Sequence, residues 1–426
     1  MSKKKIAIIG SGISGLSAAW LLSKDHDVTV YEKNNYAGGH ANTVKVSTDD
    51  GDVFVDTGFI VFNKKNYLNL TELFKKLNVK IHNTIMSFSL SVDNGSYEYS
   101  GSGALGYFGQ FSNIINPYHW YLLYEVNRFF SNAENNIKKY SKDITIGSFL
   151  KNENYSQIFV KRHILPMGAA IWSSDPNEML NYPAHNFIAF YANHGMLNFK
   201  NRPSWNTVFN GSKNYISKII SNSDFDLKLN TAIKKIKRNS KGVEVIDINN
   251  NSVNFDHVVL ASHADQSLGL LADPSKNEKE ILSAFRYQKN TAVLHKDEKQ
   301  MPKRKKLWSS WNYLKKNHKN SEKLSVTYWL NNLQELKTTQ ELFITINPIH
   351  RIPIDLIINQ YIYEHPIFDN KAIKSQELLS RIQGIDNTWY CGSYMGYGFH
   401  EDGIKSGLNV AELLGSRKRP WSFADK

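Results

Sequence analysis

Near the start of the chain, Gly10-Ser11-Gly12-Ile13-Ser14-Gly15 has the spacing of a turn that receives a pyrophosphate. Gly10 permits the tight turn and Gly12 lets the backbone approach the phosphates. Gly15 lets the following helix pack closely on the preceding strand. The free N–H groups at the start of that helix, and its positive dipole end, attract the anion. Glu32, followed by Lys33, comes 22 positions after Gly10. That is near the distance at which such a unit sets a carboxylate against an adenosine ribose.

Those groups need a frame. Residues 6–9 are a short apolar run of the kind that forms a strand buried on both faces. An Ala/Leu-rich helix follows from residue 13, then a second strand over 27–31 that ends at Glu32. A lone glycine pattern is weak evidence, and a purely structural turn is the competing reading. Strand, glycines, helix, strand and acid in this order argue against it. The glycines alone leave open whether the nucleotide is NAD or FAD.

Composition bounds the rest. With 426 residues there is room for two domains with separate cores, and 41% hydrophobic with 21% charged residues describes a folded chain. No apolar run reaches the length of a membrane span, and no signal-peptide core precedes the first strand. A single cysteine, Cys391, excludes an internal disulfide framework and suits a reducing compartment. The expectation is a cytoplasmic protein. Its net charge of +13 reads either as solvated lysines or as attraction to a polyanion, such as anionic lipid headgroups at the inner face of the cell membrane. Lys303, Arg304, Lys305 and Lys306 form the marked cluster. No nucleic-acid-binding motif accompanies the charge.

Along the chain, 53–56 and 60–62 read as short strands and 68–77 as an amphipathic helix. A strand over 85–92 leads to a hairpin turn at Asp93-Asn94-Gly95. The stretch 107–130 carries nine aromatic residues and few charges. It reads as a pair of core helices, or else as a lipid-facing entrance or an acyl-chain tunnel. Residues 144–150 and 159–171 suggest helices, with Pro166-Met167-Gly168 bending or ending the second. A helix over 187–191 leads into His194, and a turn at 210–215 starts another. The region 227–261 is strand-rich, with a hairpin at Ser240-Lys241-Gly242. Further strands are expected at 291–295, 307–313, 325–330 and 342–346, forming an antiparallel sheet. A last strand at 389–391 ends in Gly392-Ser393, and a helix of small residues covers 404–414.

Tyr36-Ala37-Gly38-Gly39-His40 and Asp56-Thr57-Gly58-Phe59 resemble the extended fingerprint of FAD enzymes of the amine-oxidase and polyene-desaturase superfamily. The resemblance implies noncovalent FAD, with Gly38 and Gly39 near the pyrophosphate and ribityl chain. It puts His40 where arginine is common, Thr57 and Gly58 within the fingerprint, and Ile233 beside the adenine. Phe399-His400-Glu401-Asp402-Gly403 would open the last helix toward the flavin's N1–C2 carbonyl edge, where reduction adds negative charge.

A narrower likeness rests on the strings YEKN..AGGHANTV, DTGFIVFN, NPYHWYLL, AIWSS, NRPSW.TV, WSSWNYL, VTYWLN.LQ and GSYMGYGFHEDGIKSG. Together they resemble stand-alone bacterial flavoproteins and the N-terminal flavoprotein half of plant cyclopropane fatty acid synthases.

The implied fold is α/β plus α+β. A discontinuous, Rossmann-like FAD domain of the glutathione-reductase type would span 1–85, 204–268 and 384–415. A substrate domain of antiparallel sheet and helices would span 86–203 and 269–383, with a tail at 416–426. The implied substrate is an unsaturated, methylated or cyclopropanated fatty-acyl lipid chain, transformed by flavin hydride transfer. A lipid methyltransferase is the implied partner. The alternatives are an amine oxidase on a small cationic substrate and a noncatalytic flavoprotein that scaffolds the methyltransferase. An acidic pocket would favour the amine, and a long apolar tunnel with a basic mouth the lipid.

Candidates for the reactive face are Trp172, His194, Tyr328, Trp329 and Tyr397. Each also reads as packing. His194 is the one whose imidazole titrates near neutrality. No metal-binding spacing occurs.

Overall fold

The computed structural model describes residues 3–200, 202–239, 242–318 and 321–423. At its centre five parallel strands lie in the order Phe225–Lys228, Asp27–Tyr31, Lys5–Ile9, His257–Leu260 and Thr388–Tyr390. In Lys5–Ile9 every residue after Lys5 is buried, as a strand covered on both faces requires. All ten residues of the helix Ile13–Leu22 are buried as well, between this sheet and the helix His400–Leu413. That explains why its sequence shows no polar face.

A three-stranded antiparallel meander, Ile233–Asn239, Gly242–Asp247 and Ser252–Phe255, feeds into His257–Leu260. Ser240 and Lys241 of the expected hairpin lie outside the described residues. The second large sheet has seven strands, in the order Ile357–Ile367, Arg286–His295, Phe343–Ile346, Ser321–Trp329, Trp311–His318, Phe88–Val92 and Tyr97–Ser100. It is antiparallel except at one seam, where Trp311–His318 runs parallel to Phe88–Val92. The turn at 93–95 joins the last two strands with positive φ at Asp93, Asn94 and Gly95.

Three expectations change. The strand expected from residue 307 begins at Trp311; Lys305–Leu307 is a 3-10 turn that buries Leu307. Pro166 does not end its helix. The π-helical turn Val160–Ile164 precedes Leu165–Trp172 and widens the backbone where the proline ring would collide with the carbonyl four residues back. The stretch 107–130 is neither wholly core nor wholly surface. In the helix Pro117–Asn136, Leu122, Val126 and Phe129 are buried, whereas Tyr118, Trp120, Tyr121 and Tyr124 are exposed.

His295, buried at the end of its strand, makes one pH-dependent contribution measurable. Its Nδ1 accepts the Asp297 N–H at 3.0 Å and its Nε2 lies 2.6 Å from Thr345 Oγ1, so the ring is held neutral. Burial lowers its pKa from 6.5 to about 4. The unfolded chain therefore binds the extra proton in this window. The stabilisation is complete above 6.5 and is lost as pH falls toward 4, at up to about 1.4 kcal/mol per unit. His295→Gln keeps a donor for Thr345. In denaturant titrations it should flatten the stability–pH slope over that window by close to one proton. An unchanged slope contradicts the assignment.

Candidate cofactor and substrate site

Each glycine of the turn meets a different local constraint. Gly10 has φ of +105° and donates its N–H to Tyr31 O at 2.8 Å. Gly15 packs so tightly that an added Cβ would stand 2.0 Å from Gly10 O. Gly12 is the opposite case: nothing lies within 4 Å of where its Cβ would be, and that space opens into a cavity. Ser11 and Ser14 line the same wall.

Glu32 is buried at the end of the second strand. Its Oε2 accepts from Ser11 N at 3.0 Å and Ser11 Oγ at 2.7 Å. Its Oε1 accepts from Asn34 N at 2.9 Å and Asn34 Nδ2 at 2.8 Å. The carboxylate thus ties the turn to the strand while lining the cavity. Lys33 and Ile233 line the cavity beside it.

Gly38 (φ +124°) and Gly39 (φ +59°) cover the turn, and a Cβ added to Gly39 would stand 3.2 Å from Gly12 Cα. His40 follows. Its ring sits 4.9 Å from Tyr363 and 5.4 Å from His365, and its Nε2 has no protein partner. Burial holds its pKa well below the ordinary value. Gly58 also lines the cavity, pressed against His40 O. Thr57 does not: its Oγ1 bonds Tyr363 Oη at 2.7 Å and supports the wall from behind.

The far end of the sequence completes the same wall. Gly392 and Ser393 follow the last parallel strand, and Gly392 donates its N–H to Ser406 Oγ at 3.0 Å. Asp402 caps the final helix by accepting from Tyr397 N at 3.0 Å and Phe399 N at 2.9 Å. A Cβ on Gly403 would lie 2.8 Å from Ile13 Cγ2, so the N-termini of helices nearly 400 residues apart in sequence meet. Phe399, His400 and Gly403 line the cavity. His400 stacks on Phe59 at 3.7 Å and shares a 2.8 Å hydrogen bond with Tyr215 Oη. Burial takes its pKa to about 3. Glu401 points elsewhere and anchors the helix Leu68–Lys76 through Asn69 N, Asn69 Nδ2 and Leu70 N. Gly15, like Thr57 and Glu401, is outside the lining.

The cavity measures about 1270 Å³, beyond the roughly 300–1,000 Å³ of a typical small-molecule site. It has room for a dinucleotide and a second molecule. The glycine cradle, the adjacent carboxylate, two converging helix N-termini and the unpartnered His40 Nε2 fit a dinucleotide at one end. Beyond it runs an arm walled by Phe88, Tyr107, Phe108, Val126, Phe130 and Met167. Among the described residues, the acidic ones on the lining are Glu32 and Glu364, both at the nucleotide end. Glu364 is held there by His263 and Gln266.

Of the five reactive-face candidates, Trp172, His194 and Tyr328 line the cavity, whereas Trp329 and Tyr397 do not. Successive strand residues face opposite sides, so Tyr328 faces in and Trp329 faces away, its Nε1 donating to Glu341 at 2.6 Å. Tyr397 contributes its carbonyl, which accepts from Trp172 Nε1 at 3.2 Å. His194 Nδ1 lies 2.9 Å from Phe190 O; a carbonyl only accepts, so Nδ1 carries the proton and Nε2 is bare. Burial lowers its pKa to about 4, so it is neutral at physiological pH.

Sequence reading missed Tyr363 and His365 beside His40, and His163 with Arg202 along the arm. No local motif marks them. Among the described residues no cluster could hold a metal ion, and no helix is long and apolar enough to cross a membrane.

Comparison with known proteins agrees with this geometry. The family model of flavin-containing amine oxidoreductases matches residues 13–295. The 4,4'-diapophytoene desaturase (4,4'-diaponeurosporene-forming) of Staphylococcus aureus is 52% identical over 42 residues, which is 10% of this chain and 8% of the desaturase. The chain thus matches only a small part of that curated relative's length. Among solved structures, the CLA-producing fatty acid isomerase from P. acnes superposes with a TM-score of 0.68 at 16% identity. The match covers 97% of this chain and 99% of the isomerase. The cyclohexylamine oxidase from Brevibacterium oxydans IH-35A gives 0.66 at 13% identity, covering 97% and 100%. At these identities the likeness is one of fold.

Proposed function

The chain belongs to the flavin-containing amine oxidoreductase family, its cofactor is FAD, and from that premise we propose an oxidoreductase acting on fatty-acyl lipid chains. When bound, the flavin supplies hydride removal from, or delivery to, a substrate carbon. Desaturation, reduction and redox-assisted isomerisation all use that capacity.

In this reading the Rossmann-like half is built from 1–85, 204–268 and 384–415, and 86–203 with 269–383 form the substrate half. Gly10, Ser11, Gly12 and Ser14 would offer backbone and hydroxyl donors to the pyrophosphate, and Glu32 would accept from the adenosine ribose. Ile233 would pack at the adenine, and Gly38, Gly39 and His40 would border the ribityl chain. The N-terminus of His400–Leu413 would direct its positive potential at the ring. The aromatic wall excludes water. With Nε2 unprotonated at neutral pH, His194 takes up a proton rather than supplying one.

One observation carries the choice of substrate: the arm beyond the nucleotide end has mainly aromatic and aliphatic walls, with His163 and Arg202 but no carboxylate among the described residues. A cation moved into such a wall loses its hydration with no counter-charge to offset the loss. A hydrocarbon chain gains by entering. The fatty acid isomerase of the same fold lends weight, as does the resemblance to flavoproteins associated with cyclopropane synthases; a lipid methyltransferase is the corresponding functional partner. Mass spectrometry of ligands released from the purified protein tests the assignment. Acyl lipids in near-stoichiometric amount are expected, and polyamines or aryl-amines in their place would favour the amine reading.

A further inference from the structure

From Gly101 to Tyr124 the chain contains no Asp, Glu, Lys or Arg, although much of it lies on the surface. Leu105 is 93% exposed, Phe111 78% and Ile115 79%, and Tyr118, Trp120, Tyr121 and Tyr124 are exposed around them. Exposed apolar side chains gathered in one uncharged segment mark a surface that something covers.

Two further observations say what. The first is continuity with the cavity. Gly101, Gly103 and Ala104 are exposed and also line the cavity wall, as does Phe199, whose ring packs 4.9 Å from that of Phe130. The arm therefore opens within the apolar patch.

The second is charge. The basic cluster singled out in the sequence folds against this segment. Leu307 packs on Gly109, and the Lys303 stem packs on Gly95. Within the cluster Arg304 is committed to the buried Glu98 at 2.7 Å and Lys305 to Glu341 at 3.3 Å. Lys303 and Lys306 are exposed and make no ion pair among the described residues. At the mouth itself, the exposed Arg202, which lines the cavity with Phe199, meets no carboxylate among the described residues; its Nε donates to Asn198 O at 2.8 Å.

We propose that this surface docks on an anionic phospholipid bilayer, so that the apolar arm opens into the lipid. Leu105, Phe111 and Ile115 enter the acyl boundary. The Tyr and Trp rings sit at headgroup depth, where one end of each is apolar and the other wet. Lys303, Lys306 and Arg202 meet the anionic headgroups. The inference rests on the acyl-chain reading, because a water-insoluble chain needs a dry route into the cavity, and it adds the membrane as a partner.

The test uses the full-length flavin-loaded protein and vesicles of phosphatidylcholine with or without phosphatidylglycerol. Co-sedimentation should rise with phosphatidylglycerol content and fall with added salt. Leu105→Asp, Phe111→Asp and Ile115→Asp combined should cut the bound fraction at least tenfold, with flavin content and melting temperature unchanged. Lys303→Gln with Lys306→Gln should weaken binding to anionic vesicles roughly fivefold per lysine and leave any binding to neutral vesicles as it was. Absence of sedimentation with either vesicle overturns the proposal, and so does a triple variant that binds like the wild type. A lipid-free dimer that the triple variant dissolves also overturns it, in favour of a second copy on the patch.

Binding is read without turnover, so the two readings fail separately. Intact vesicle binding without acyl chemistry removes the substrate assignment alone. Turnover of detergent-dispersed acyl chains without vesicle binding removes the docking alone.

Discussion

Gly407→Ala should yield a protein that loses its flavin and is destabilised by about 3 kcal/mol, at the upper end for an overpacked core. Gly407 sits where the helix His400–Leu413 crosses the helix Ile13–Leu22. A Cβ there would stand 2.1 Å from Ser14 O and 2.3 Å from Ser17 Oγ. The first of these atoms is backbone and cannot swing aside, so the two helices must part. Their N-termini border the nucleotide end, and separation removes the cradle as well as the packing. Gly269→Ala is the matched control. Gly269 lies in the helix Ala264–Leu270, with nothing within 4 Å of its would-be Cβ. That substitution should stabilise by about 0.5–1 kcal/mol through the unfolded chain. Thermal melts and the flavin-to-protein absorbance ratio report both. Equal, mild effects at the two positions would show that the crossing tolerates a wider gap.

Glu32→Ala should weaken FAD binding about 10- to 100-fold, the equivalent of roughly 1.5–3 kcal/mol for a hydrogen bond to a charged group. The structure sharpens the expectation, because Glu32 also holds Ser11 and Asn34. Alanine therefore removes a ribose acceptor and loosens the turn at once. Glu32→Gln separates the two effects. Its carbonyl still accepts from Ser11, so the tie to the turn is kept, while its amide nitrogen cannot accept from Asn34 and the charged acceptor is lost. The glutamine variant should fall between wild type and alanine when FAD is titrated into apoprotein. Wild-type affinity in the alanine variant would place the ribose elsewhere.

What was legible in the sequence was mostly contiguous. The first strand, the glycine turn, the buried helix and Glu32 lie within 28 residues, Lys5 to Glu32, and each constrains the next. The glycine-rich start of the last helix was equally local. Contacts across long gaps were not legible. Tyr363 and His365 sit beside His40 only because Ile357–Ile367 pairs with Arg286–His295 at the edge of the seven-stranded sheet. That strand carries Asn359, Gln360 and Pro366, which blur its pattern; an edge position is where a proline does least harm.

The same holds for Trp329 and Tyr397. Residue type nominated them, but strand alternation turned one away, and the other presents its carbonyl to the Trp172 indole. The aromatic run at 107–130 left two readings open because a helix can have both faces aromatic and bury only one.

Anaerobic mixing of the oxidised holoprotein with candidate substrates tests the account most directly. Flavin absorbance reports whether hydride moves, whatever acceptor follows. The account predicts bleaching, or formation of a spectrally distinct complex with acyl product, on adding fatty-acyl phospholipid or free long-chain fatty acid. No change is expected with putrescine or cyclohexylamine, because among the described residues no carboxylate lines the arm to receive a cation. Rapid bleaching by either amine, with acyl chains inert, would contradict it.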